Sequence, residues 1–232
     1  TRRSSDLDPK LCDSIDIDLL HGLQEMKVPV AVPEPKAPKG GKNYQAALVL
    51  GLTVADGLAA MVKQDKAIFA KFVKLLEDQA KILEVSPGVL GKLPELGKLA
   101  EQGQWDKAGV ALYEFKDAVV GELTQKNQKP LADLAMLGGG LEGLYLMATS
   151  LEAKFSAEAG KLMRNKSLAA FLKTYSAVLP PAMLEEPEVK AIVQALPALE
   201  KALSKPADEA CSLEEVKGVV NLTGSLRKNL VE

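Results

Sequence analysis

The sequence predicts an all-α fold, and three observations carry that reading. Hydrophobic residues make up 47% of the 232 positions while aromatics supply only 4%, so the core must be built from Leu, Ala and Val. Ala and Leu are the strongest helix formers, because they lose little side-chain freedom on entering a helix. Apolar residues recur at i, i+3/i+4 and i+7 over long stretches, the period of one buried helical stripe, and period-two alternation is nowhere convincing.

The elements follow in order. Residues 1–42 form an N-terminal flank: a polar start, a short amphipathic helix from Asp13 carrying Ile15, Leu19, Leu20 and Leu23, then a proline-rich stretch from Val28 to Gly41. Proline fixes φ and removes backbone donors, so this stretch is extended, as a tether or lying along the surface. Helices are then expected over 43–63, over a stripe of Ile68, Phe72, Leu75, Leu76, Ile82 and Leu83 capped by Asp65, over a shorter stretch to about Gln102, and from Gln104 through Leu112, Phe115, Val119 and Leu123. Ser86-Pro87-Gly88 and Asn127 to Pro130 break the chain between them. Further helices are expected at 130–149, 151–163, 167–178 and 187–203, the last kinked by Pro197. A final amphipathic helix starts after Ser212, a good N-cap with Glu214 and Glu215 in the first turn.

Shifting the sequence by 86 positions aligns Asp56-Gly57-Leu58 and Met61 with Glu142-Gly143-Leu144 and Met147, and Phe69 with Phe155. One offset joining several segments suggests an internal duplication: two similar antiparallel helical units, 43–127 and 128–205, with the flank before them and a helix at 206–232 after them. Gly103, Trp105, Ala108 and Leu112 look like the turn and second helix of a tetratricopeptide repeat, over about ten residues and with no 34-residue period following. That resemblance implies only a helix hairpin with a small-residue turn.

Formal net charge is −2, and Lys71, Lys74, Glu77, Asp78 and Lys81 interleave the two signs, which argues against nucleic acid. The longest apolar run, Ala46 to Val62, is broken by Asp56 and two glycines, so no membrane span is expected where ~20 apolar residues are needed. His21 is the only histidine, so Ser-His-Asp and Cys-His catalysis lack a well-placed base. No metal site is expected from one His and two distant Cys, and no cofactor, since Gly138-Gly139-Gly140 follows no strand and precedes no Lys-Ser/Thr pair.

Two features invite chemistry. Asp56 and Glu142 each interrupt an apolar helix, precede a glycine and occupy matching places in the duplication, so together they are a candidate site for a cation or polar ligand. Cys12 and Cys211 lie outside the duplicated units, and a disulfide between them would tie the terminal elements together. An exported or periplasmic location is favoured slightly over a cytoplasmic one. The leading functional expectation is a non-enzymatic interaction or scaffold module that binds another protein or itself, tethered through its N-terminal flank. The alternatives are a small-molecule or cation-binding protein with its site between the two units, and an enzyme working through carboxylates.

Overall fold

A computed structural model describes residue 20 and residues 22–231. The part of the expected first helix from Asp13 to Leu19, together with Cys12 and His21, lies outside the described residues. Among the described residues, eight helices of nine residues or more form the body: α1 Asn43–Val62, α2 Lys66–Ile82, α3 Leu93–Glu101, α4 Trp105–Gln125, α5 Lys129–Ala153, α6 Lys166–Ala177, α7 Pro187–Leu203 and α8 Leu213–Leu230. Short helical turns at Pro87–Leu90, Ala157–Gly160 and Pro181–Leu184 join them, and no strand forms among the described residues. The all-α reading holds.

Local sequence signals explain most of the helix starts. Asp65 accepts from the Ile68 N–H at 3.0 Å and starts α2. Asn165 does the same for α6 through Leu168 N–H at 2.8 Å. Ser212 and Glu215 form a reciprocal capping box at α8, which satisfies two otherwise orphaned N–H groups. Proline at the first turn opens α5 and α7, where a missing N–H costs nothing. Pro197 lies inside α7, whose helix continues through it to Leu203.

Helices α1 and α5 are the centre. Every residue of α1 from Ala46 to Ala60 is buried, and α5 is buried without a break from Leu131 to Leu144. A helix apolar on all sides belongs inside a bundle, and the amphipathic helices pack around these two: α2 and α4 against α1, and α4, α6 and α8 against α5. Phe69, Phe72, Leu76, Leu112 and Phe115 are all buried in the shared core. By length and composition α1 and α5 could each cross a membrane, and 89% of the apolar window of each is buried within this fold. That corrects the expectation that no segment reaches such a length. Asp56 and the glycines break the apolar run in sequence but sit inside one continuous helix.

The central pair meets backbone to backbone. A Cβ on Gly51 would overlap the carbonyl oxygen of Ala135 and stand 2.7 Å from the amide nitrogen of Gly139. A Cβ on Gly138 would overlap the carbonyl of Leu48. Glycine is required at both places because the neighbour is main chain, which cannot rotate away.

The proline-rich segment lies along the bundle. Val28 and Val30 are buried, the Ala31 N–H donates to Ser150 Oγ at 2.8 Å, and the Lys39 N–H donates to the Leu230 carbonyl at 2.9 Å. Pro38 forms an isolated antiparallel bridge with Val231. The segment is a strap with fixed contacts, the second of the two states expected for it.

The duplication is not confirmed. Shifted by 86 positions, α1 falls on α5, but α2 falls on residues 152–168, where α5 ends, the chain makes the turn Ala157–Gly160 and a 3-10 turn at Lys161–Met163, and α6 begins. The expected single helix at 151–163 is therefore broken. Ser156 caps the turn by accepting from the Ala159 N–H, and Gly160 packs its bare face 2.8 Å (as measured from an added Cβ) from the Cys211 carbonyl.

Candidate functional site

The structure brings Asp56 and Glu142 together at the α1–α5 contact, with 1% and 2% of each residue exposed. Between them lies Arg227 from the last turn of α8. Its Nη2 donates to Asp56 Oδ2 at 3.0 Å and its Nε donates to Glu142 Oε1 at 3.0 Å. The guanidinium lies over the Tyr145 ring, 5.7 Å from its centroid, and the Arg227 side chain is 11% exposed. A planar guanidinium on an aromatic face, forked to two carboxyls, suits a low-dielectric position better than an ammonium would.

Each of the three helices supplies one corner for a local reason. Gly57 follows Asp56, and a Cβ there would stand 3.2 Å from Leu112 Cδ2, so α4 approaches α1 closely at that level. Gly224, one turn before Arg227, lets α8 approach Tyr145, where an added Cβ would be 3.4 Å from the ring. On α8, Val216, Val219, Thr223, Leu226 and Leu230 are buried, and Arg227 stands beside that stripe in the last turn.

The cluster has two acids and one base. Burial pushes the Asp56 carboxyl up to about 6, against the opposing pull of Arg227. Burial also raises Glu142 well above the ordinary carboxylate range, and the negative charge of Asp56 adds to that rise. Desolvation opposes the charge of Arg227, but the two carboxyls outweigh it and hold its pKa above the usual value. Asp56 Oδ1 is buried with no hydrogen-bond partner.

Next to the triad lies a cavity of about 20 Å³, lined by Leu20, Leu23, Ala55, Leu58, Gly143, Leu146 and Met147. That volume has room for about one water molecule. Among the described residues no group of three or more His, Cys, Asp or Glu gathers as a metal site.

A second polar knot organises the far side. The Arg164 side chain is fully buried and donates to the carbonyls of Ala202 (2.6 Å), Glu209 (2.8 Å) and Ala210 (3.2 Å), and to Glu215 Oε2 (3.2 Å). It pins the connection between α7 and α8. Over that connection the two helices leave an open groove of about 440 Å³, lined by Ala198, Leu199, Ala202, Val219 and Leu222, with Gly218 beside them. Lys201, Lys205 and Glu215 stand at its edge, and Lys205 bridges to Glu215 at 2.8 Å.

Cys211 is a free, buried thiol, and burial raises its pKa. Its expected partner Cys12 lies outside the described residues, and no disulfide forms among those that are described.

Sequence reasoning missed both arginines. For Arg227 a signal existed: Val216, Val220, Thr223 and Arg227 follow the i, i+4, i+7, i+11 spacing of a buried face, so the cation continued an apolar register. Arg164 gave none, because it falls between the helices expected at 151–163 and 167–178.

Comparison with known protein families, curated proteins and solved structures finds no match for this chain.

Proposed function

We propose that this chain is a non-enzymatic interaction module that holds an amphipathic helical segment of a partner protein in the groove between α7 and α8. The observation that carries this reading is the composition of that groove. Its walls are small at Ala198, Ala202 and Gly218, and an added Cβ at Gly218 would meet nothing within 4 Å. Small residues let a third helix axis come close, and the exposed Ala198 with the half-buried Ala202 and Leu222 offers the apolar surface that an i, i+3/i+4, i+7 face would cover, over a floor closed by the buried Leu199 and Val219. Lys201 stands on the α7 edge while Lys205, just past the helix, is paired with Glu209 and Glu215, so the fitting helix carries an acidic residue opposite Lys201.

A ligand between Asp56 and Glu142 has less support. The cation that two buried carboxyls call for is supplied from within the chain by Arg227, and the neighbouring cavity holds about one water.

Selection from a displayed library of amphipathic helices tests the groove, followed by anisotropy measurements on the winners. Peptides with an apolar stripe and an acidic flank are expected to bind wild type and to lose binding to Gly218→Trp, which fills the groove from an open position. Winners that bind Gly218→Trp as tightly as wild type would place the contact elsewhere. A library that yields no binder would remove the reading.

A further inference from the structure

We infer that the Asp56–Glu142–Arg227 cluster folds with one proton held between its two carboxyls, so that docking of α8 onto α1 and α5 takes up a proton and loosens as pH rises. The geometry argues this by charge and by hydrogen-bond count. Two ionised carboxyls and one guanidinium would leave a net negative charge inside the core, where an uncompensated charge is strongly unfavourable. They would also leave Asp56 Oδ1 without a donor. A single proton from solvent, resident on Glu142 and donated toward Asp56, answers both demands: the cluster becomes neutral and the orphaned oxygen gains a partner.

Among the described residues, the groups that face the cluster are few. Asp56 comes from α1, Glu142 and Tyr145 from α5, and Arg227 from α8; α2, α4 and α6 bring no further charged group that shifts these acids. The orphaned oxygen belongs to Asp56, so the carboxyl that carries the proton toward it is Glu142, and the upward direction at Glu142 agrees. Arg227 keeps both of its donors engaged in that state.

Both acids are raised above their unfolded values, near ~4. Their contribution to stability is therefore complete below that pH. It declines as pH climbs through the folded values, about 6 for Asp56 and higher for Glu142. One extra proton in the folded state makes the folding equilibrium constant fall about tenfold per pH unit.

Urea unfolding of wild type and Glu142→Gln from pH 6 to 9 reads that proton. Gln keeps an acceptor for Arg227 Nε and a donor for Asp56 while removing the titration. The variant is expected to lose up to one proton's worth of pH slope, gaining on wild type by up to about tenfold per pH unit wherever Glu142 in the folded protein still holds its proton. Identical slopes in the two proteins would overturn the inference. Should the variant not fold, carboxyl carbon NMR of the wild-type protein decides the matter. A Glu142 resonance that stays in the protonated range at pH 7 supports the shared proton, and an ionised one refutes it.

Discussion

Replacing Gly51 or Gly138 by Ala sets two opposing effects against each other. In a helix interior the exchange ordinarily stabilises by up to ~1 kcal/mol, because Ala loses less backbone freedom on folding. At these two sites the new methyl would fall on the carbonyl of Ala135 or of Leu48. Neither is the end of a flexible side chain, so α1 and α5 can only move apart. Overpacking of a tight interior costs ~1–3 kcal/mol, and a contact with main chain belongs at the upper end. The net expectation is a loss of about 2 kcal/mol for each variant, which for a chain of this length lowers Tm by ~4–8 °C. The double variant should cost less than the sum, since one separation of the helices relieves both overlaps. Urea denaturation followed by circular dichroism measures it. Gly97, Gly121 and Gly218 serve as controls, because a Cβ at each meets nothing within 4 Å, and their Ala variants should be neutral or more stable. A Gly51→Ala or Gly138→Ala protein as stable as those controls would refute the backbone-contact reasoning.

Arg227→Met should destabilise by ~3–5 kcal/mol, the usual result of leaving buried acids without their cation, and adding Glu142→Gln and Asp56→Asn should recover much of it. Arg164→Ala strands three carbonyl oxygens and should cost about 3 kcal/mol, with limited proteolysis at 204–212 accelerating in the native state. On the acid side, Lys205 first and then the Ser212 backbone amide hold Glu215 down at about 2, so its contribution is present above ~4 and fades as pH falls through the folded value; Glu215→Gln should flatten urea midpoints between pH 4 and 2. The Cys211 thiol, buried and raised in pKa, should react with iodoacetamide in urea and resist it in buffer, and rapid native alkylation would contradict its burial.

Much of the fold was legible because it rests on period and punctuation. The stripe residues Phe72, Leu76, Leu112 and Phe115 face the core, and Asp65, Ser212 and the span of α7 stand where sequence signals put them. The broken segment after α5 was not, since the apolar positions Phe155 and Met163 mimic a helical spacing that Ser156 and Asn165 interrupt as caps. Of the triad, the two acids could be paired because each sits in an apolar helix before a glycine. Their partner continues the apolar register of α8, but nothing local ties that cation to an acid 171 positions away.

That span has a consequence for synthesis. Asp56 is made long before Arg227, and α1 can meet α5 while the last helix is still missing. Until α8 arrives, two acids face each other at the centre with no counter-ion, and the strap at Lys39 lacks the Leu230 carbonyl it binds. Products that stop short of α8 would retain α1 and α5 yet fail to close around them. The interior thereby distinguishes chains that have reached Arg227 from those that have not.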